Sequence, residues 1–406
     1  MRLLSILRST ISFKGFCFED CFLSSGTIFI KIRPRKNNKC LCSICGCSGS
    51  TYDTRKQRLW RHLSLWHIPV YFVYRPRRID CYNCHKIVTE SIPWSLGKCR
   101  LTRSLIIELA RSARILSWKT VAEVYNVNWV QVRNAVHSAV QWGLEHRDTS
   151  SVKLLGIDEI SQRKHHHYLT VVYELCPGQK RLLWVGEGRT KATLRSFIQY
   201  WGPKRCSQIE GVCCDMWDAY SGMVRKHLPN AVLVFDKFHI AKHINEAVDK
   251  VRRAEIREHK NEGASELKGT RYIWLKNSEN LSEKQIFNIY DLEKANLKTH
   301  RAWLIKETFR RFWKCKTAKE AELQFKIWFD RAVQSGLKPI EKIAWMIKEK
   351  LKNILTIFDM PINNGATEGL NNKAKSISHR SYGFRKSETM KIALMNAMGK
   401  LDLPPT

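Results

Sequence analysis

Ile209-Glu-Gly-Val-Cys-Cys-Asp-Met-Trp-Asp-Ala-Tyr220, followed by Ala231-Val-Leu-Val-Phe-Asp-Lys-Phe-His239, decides the fold. Each half holds a short apolar run that stops at an aspartate. Ile209–Cys214 stops at Asp215, and Ala231–Phe235 stops at Asp236. Runs of this length with a helical pattern between them read as buried strands of an α/β sheet. Sites in such sheets lie at the carboxyl ends of the strands, where an acid can hold a metal ion. An acid there can also simply start a turn or cap a helix, so the rest of the chain has to decide.

Working outward, Lys153–Ile157 is another apolar run, and it ends at Asp158. Tyr168–Leu175 and Arg181–Val185 follow as strands, and Arg163-Lys-His-His-His167, between Asp158 and the first of them, reads as a basic turn; a metal role for its histidines is the alternative. Lys191–Trp201 and Trp217–His227 read as helices. Three strands, then helix, strand, helix, strand is the order of a ribonuclease-H-like domain whose first three strands are antiparallel. Asp158 and Asp215 then fall on neighbouring strands. Glu159 faces away from Asp158, because adjacent strand residues point to opposite sides. Asp218 reads as a charge favoured in a first helical turn.

The 406-residue chain is long enough for two to four units, and its 44% hydrophobic content supports real cores. Lys and Arg number 70 against 37 Asp and Glu, a formal charge of +33 spread along the chain. Such a field selects a polyanion, with nucleic acid first and an acidic membrane surface second. No stretch has the apolar length to span a bilayer. Met1–Arg8 is too short and broken for a signal peptide. Fourteen cysteines without a secretion signal imply reduced thiols and metal, and a cytoplasmic location is expected.

Residues 11–18 and 27–32 alternate as strands do. Cys42-Ser-Ile-Cys45 and Cys81-Tyr-Asn-Cys84 are two C-x2-C pairs, each able to aim two thiolates at one ion. Four sulfurs suit tetrahedral zinc, so a zinc-ribbon-like region with one structural Zn2+ is expected, with Cys40 and Cys47 as possible substitutes. Thr102 can cap a helix over Arg103–Arg114. Residues 117–137 then have helix-turn-helix rhythm. Val121, Ala122 and Val124 face inward, Asn126–Asn128 make the turn, and Val132, Ala135, Val136 and Ala139 form the next buried stripe. Gln131, Arg133, Asn134 and His137 are left outward as a candidate DNA face, against the plain alternative of a solvated hairpin. Residues 240–355 are helical and suggest an insertion with its own small core, packed by Trp274, Trp303, Trp313, Trp328 and Trp345. A last helix is expected to start near Ala366, placing Glu368, Asn371, Asn372 and Lys375 on one face.

Leu155-Gly-Ile-Asp-Glu-Ile160, Val212–Tyr220, Leu228-Pro-Asn-Ala231, Asp236-Lys-Phe-His239, Asn364-Gly-Ala-Thr-Glu-Gly-Leu-Asn-Asn-Lys373 and Tyr382-Gly-Phe-Arg385 stand in the order of the DDE transposases of bacterial insertion sequences. The chain most resembles the ISL-three family, over nearly its whole length. The resemblance implies a multidomain α/β protein. A zinc-binding, DNA-binding region covers 1–98 and a helix-turn-helix 99–148. A ribonuclease-H-like core covers 150–245, a helical insertion 246–355, and the last part of the core 356–400.

By that resemblance the catalytic acids are Asp158, Asp215 and Glu368, with Asp236, His239 and Asn372 supporting from the edge. Lys373, Lys375, Arg380 and Arg385 are candidate phosphate contacts. His165 and the Cys213-Cys214 pair depart from the family pattern without removing a ligand. The implied chemistry is cleavage and strand transfer with two Mg2+ or Mn2+ ions per site, Asp158 bridging. The implied partners are terminal inverted repeats and target DNA, bound by a homodimer or larger assembly near the bacterial nucleoid. The competing readings are a DNA-binding regulator on a dead nuclease scaffold and a structure-specific nuclease without strand transfer.

Overall fold

A computed structural model describes residues 3–97, 99–163, 167–258, 267, 269–294, 297–360, 362 and 364–405. The chain forms two compact units, Met1–Asp148 with Ile377–Thr406, and Thr149–Ser376. No helix among the described residues is long and apolar enough to cross a membrane.

The first unit opens with α1 (Leu3–Thr10). The strands are β1 (Phe16–Ser24), β2 (Thr27–Pro34), β3 (Cys40–Leu41), β4 (Ser48–Thr54), β5 (Arg58–Leu65), β6 (Ile68–Tyr74), β7 (Arg77–Cys81) and β8 (Lys86–Thr89). They make two sheets, ordered β1-β2-β6-β5 and β3-β4-β7-β8. The strand expected over 11–18 begins only at Phe16, after a turn at Lys14–Gly15 that follows α1, whose Leu7 joins the same core as Phe16 and Phe18. Trp94 is the hub of that core, with the rings of Phe13, Phe16 and Tyr74 at 5.2, 5.2 and 5.3 Å. Buried Glu90 joins the two sheets: it accepts from Tyr74 Oη at the end of β6 and from Arg77 Nη2, at 2.6 Å, at the start of β7.

Three helices follow, α2 (Arg103–Ser112), α3 (Trp118–Val124) and α4 (Trp129–His146). Each begins at a side-chain cap. Thr102 accepts from Leu105 N, Ser117 from Thr120 N and Asn128 from Gln131 N. Asn126 turns the chain at φ 48°, a left-handed conformation that asparagine tolerates. Val132, Ala135, Val136 and Ala139 are buried, as are Val121 and Ala122. Val124, expected inward, is 64% exposed at the last position of its helix.

The second unit is built on β9 (Leu154–Arg163), β10 (His167–Glu174), β11 (Arg181–Glu187), α5 (Lys191–Trp201), α6 (Pro203–Cys206), β12 (Gly211–Cys214), α7 (Asp218–His227) and β13 (Val232–Phe235). The sheet order is β11-β10-β9-β12-β13. β9, β10 and β11 are antiparallel neighbours, while β12 runs parallel to both β9 and β13. The strand expected to stop at Asp158 continues to Arg163, because β10 pairs with it throughout. Residues 164–166 of the expected basic turn, His165 included, lie outside the described residues.

Helices complete this unit: α8 (Lys237–Glu258), α9 (Arg271–Leu275), α10 (Glu283–Lys294), α11 (Lys298–Phe309), α12 (Ala318–Val333), α13 (Lys338–Leu355) and α14 (Asn364–Arg380). The expectation of a separate small core for the helical block is corrected. One continuous cluster runs from Leu155, Val212 and Phe235 in the strands to Trp274, Trp328 and Ile347 in the helices. α8 crosses the expected boundary at 245 unbroken, since Ile240, Ile244, Ala247, Val248 and Val251 keep one face buried. Glu255, near the end of α8, caps α11 by accepting from Lys298 N at 2.6 Å and Thr299 N at 2.8 Å. Trp345 is 54% exposed rather than core; it lies against Phe329 with Lys348 Nζ over its ring.

From Ile377 the chain belongs to the first unit, so the stretch 356–400 is shared rather than a single piece. α15 (Ser387–Met398) packs there, and Asn396 Nδ2 donates to Ala110 O at 2.9 Å.

The contact between β9 and α14 is close at Gly156. A Cβ there would sit 2.9 Å from Leu175 Cδ1 and 3.1 Å from Thr367 Oγ1. Gly156→Ala is therefore expected to cost about 1–3 kcal/mol by overpacking, seen as a lower thermal midpoint. An unchanged midpoint would show that α14 is not held so tightly.

Candidate functional site

Hydrogen-bond register levels three aspartates. Cys213 of β12 pairs with Gly156 of β9 and with Val234 of β13. Two residues further along each chain come Asp215, Asp158 and Asp236. Registered partners on parallel strands share a face, and a two-residue step preserves it. The three carboxylates therefore reach one side of the sheet at one height, at the carboxyl end of β12 and β13.

α8 starts immediately after Asp236 and brings His239 back over the strand ends. Asp158, Asp236 and His239 each offer a ligand atom within 4.8 Å of the others. Asp215 stands beside them, its Oδ1 2.7 Å from His239 Nδ1. Asp236 and His239, expected to support the site from its edge, stand directly beside Asp158 and Asp215. Each aspartate also accepts a local backbone N–H. Glu159 N donates to Asp158 at 2.7 Å, Met216 N to Asp215 at 2.6 Å and Phe238 N to Asp236 at 2.8 Å.

Electrostatics follow from this crowding. Burial raises the Asp158 and Asp236 carboxyls above their ordinary range, and the neighbouring acids add to the rise. Burial also works to raise Asp215, but the His239 hydrogen bond and charge outweigh it and hold that carboxyl below its ordinary value. The same hydrogen bond raises the His239 imidazole against the effect of burial. Clustered carboxylates beside one imidazole form a donor set that fits a hard divalent cation.

α14 delivers the remaining candidates. Asn371 Nδ2 donates to Asp158 Oδ2 at 2.6 Å, and Tyr173 Oη donates to Asn371 Oδ1 at 2.9 Å. Glu368 lies one turn earlier on α14, exposed, and outside the compact acidic group. Asn372 is exposed; the amide that reaches Asp158 is its neighbour Asn371. Sequence spacing put Asn371 on the right face without singling it out. Tyr173 carried no sequence signal, since a tyrosine in a strand reads as packing. Glu159 points to the other face, toward Arg189 at 3.8 Å, and Asp218 opens α7 and pairs with Lys350.

A second cluster lies in the first unit. The thiols of Cys42, Cys45, Cys81 and Cys84 converge within 4.8 Å of one another. Each knuckle ends in a left-handed residue, Gly46 at φ 74° and His85 at φ 49°, which turns the chain back beneath its two sulfurs. Four thiols at this spacing fit a tetrahedral thiophilic ion. Cys40 instead donates to Glu90 at 3.5 Å, and Cys47 is exposed.

The candidate nucleic-acid residues differ in freedom. Asn134 is exposed and Arg133 donates to it, His137 is half-buried, and the Gln131 side chain is occupied in the cap of α4. Lys373, Lys375 and Arg385 are exposed. Arg380 is tied to Ile115 O and Arg114 O, so it fastens the end of its helix to the loop before α3.

Comparison with known proteins identifies the family. Residues 155–394, more than half of the chain, match the ISL-three family of DDE transposases, described as "Transposase". The chain is 27% identical over 365 residues, 89% of each sequence, to the transposase for insertion sequence element IS1001 of Bordetella parapertussis. It is 28% identical over 398 residues to the transposase for insertion sequence element IS1557 of Mycobacterium tuberculosis, covering 92% of this chain and 88% of that one. The acids levelled at the strand ends all fall within the matched span, and the chain belongs to the ISL-three family of DDE transposases of insertion sequences.

Proposed function

We propose that this transposase binds the terminal inverted repeats of its own insertion sequence and performs metal-dependent DNA cleavage and strand transfer at Asp158, Asp215 and Glu368. The observation that carries the reading is the common level of the strand-end aspartates, with α14 hydrogen-bonded to the first of them. Two Mg2+ or Mn2+ ions, when bound, would stabilise the attacking and leaving oxygens of an in-line displacement. Asp158 would be shared between them, since it lies between the strand that leads to Asp215 and the helix that carries Glu368. Asp215 and Glu368 would each complete one site.

The chain's own residues do the positioning. His239 holds the Asp215 carboxylate in one orientation, and Asn371 holds that of Asp158. A water, and then the 3′-hydroxyl freed at the element end, would be aligned against the phosphodiester in the same place. The core topology of antiparallel β9–β11 followed by parallel β12 and β13 supports a ribonuclease-H-like scaffold. The capped α3–α4 pair supports a helix-turn-helix, with Arg133, Asn134 and His137 toward DNA. Lys373, Lys375 and Arg385 would contact phosphates. One structural Zn2+ on Cys42, Cys45, Cys81 and Cys84 would hold the two knuckles together. Synapsis of two ends calls for a homodimer or larger assembly, working at the bacterial nucleoid.

Asp215→Asn and Glu368→Gln are each expected to abolish cleavage of end DNA in Mg2+ or Mn2+ while leaving end binding within about twofold, read by gel shift and strand scission. Cleavage surviving Asp215→Asn would sink the assignment. Asp236→Asn is expected to lower the rate about 10–100-fold, as outer partners of a metal site do.

Cys45→Ser is expected to release the zinc, measured by metal analysis of the purified protein, and to weaken end binding with it. A variant that keeps a full equivalent of zinc would exclude Cys45 as a ligand.

A further inference from the structure

Behind the half-buried Asn371 that holds Asp158 stands a fully buried phenol, Tyr173, that the proposed mechanism does not use. We propose that Tyr173 and Asn371 are positioning residues for the divalent-metal site: the phenol orients the amide, and the amide orients Asp158. The inference rests on the proposed metal-dependent reading of the site.

An asparagine amide can sit either way round, and its neighbours decide which. Here Tyr173 Oη donates to Asn371 Oδ1 at 2.9 Å, which leaves the NH2 end toward Asp158 Oδ2 at 2.6 Å. The reversed amide would set a carbonyl against a carboxylate and leave the phenol facing an NH2 donor. Tyr173 is fully buried, so water cannot replace the lost acceptor, and the reversed state is disfavoured from both ends.

The ladder explains why the phenol reaches this place. Tyr173 pairs with Gly156, two residues before Asp158 on the same face. Gly156 has no side chain to stand between the ring and α14. Thr367 lies over Gly156, and Asn371, one turn on, lies over Asp158. A helical turn and a two-residue step of strand advance by about the same distance, roughly 6 Å, so helix and strand stay in step.

The consequence is specific. Asp158 Oδ1 already accepts from Glu159 N at 2.7 Å, so with Asn371 on Oδ2 both oxygens carry one donor and the carboxylate plane is fixed. The lone pairs that remain are aimed, not free to rotate. The same hydrogen bond acts at the height that packing at Gly156 gives α14, and so Glu368, against β9.

The test is direct Mn2+ binding to the full-length protein without DNA, by calorimetry. Tyr173→Phe removes one oxygen atom and is expected to weaken Mn2+ binding about 3–10-fold, the scale of one hydrogen bond. Asn371→Ala is expected to weaken it about 10–100-fold. In both, the Mn2+ concentration for half-maximal cleavage should rise in parallel, with end-DNA affinity unchanged. Wild-type Mn2+ affinity in both variants would overturn the proposal, as would a fall in thermal midpoint with no change in Mn2+ affinity. If Asn371→Ala does not fold, the volume-conserving Tyr173→Phe decides alone. A wild-type protein that binds no Mn2+ would instead overturn the metal-dependent reading on which this rests.

Discussion

The backbone register of β9, β12 and β13 is the constraint on which the site depends. β12 is only four residues long, and a slip of one residue would turn Asp215 to the opposite face. The alternate residues prevent this. Leu155, Ile157, Val212, Cys214, Leu233 and Phe235 all enter the large core, on the face opposite the aspartates. A slipped strand would expose that set and bury the acid, so hydrophobic burial on one side of the sheet enforces a level row of carboxylates on the other.

Bringing those carboxylates together is unfavourable in itself. Burial and mutual repulsion push Asp158 and Asp236 toward the protonated form. The protein offsets this only in part, through three backbone N–H groups, the His239 imidazole and the Asn371 amide. What is left over is a demand for positive charge on the open side. The proposed metal-dependent reaction would use such a site, because phosphoryl transfer asks for placed cations and little covalent chemistry from the protein.

The helical block serves the sheet more than it stands apart from it. α13 reaches the last strand, where Thr356 Oγ1 donates to Leu233 O at 2.9 Å. α8 begins at the site with His239 and ends by capping α11 with Glu255. An element that shares its core with the strands and supplies a residue to the acids cannot move without disturbing them.

Local features were legible in the residues. Apolar runs ending in Asp215 and Asp236, the caps at Thr102 and Asn128, and the paired C-x2-C knuckles each depend on neighbours a few positions away. The strand order and the resemblance to DDE transposases extended this to the architecture. The exposure of Trp345 and the occupied Gln131 and Arg380 were not legible, because those side chains are used by partners the spacing does not specify. The sequence by itself determined which residues are acids, thiols and caps, and on which face of its own element each lies. Only the tertiary structure decided that Asp236 and His239 join Asp158, that Asn371 and not Asn372 reaches it, and that Tyr173 turns the amide. Those choices depend on the height at which one helix lies along one strand, a quantity set by packing at Gly156 and encoded in no single stretch of chain.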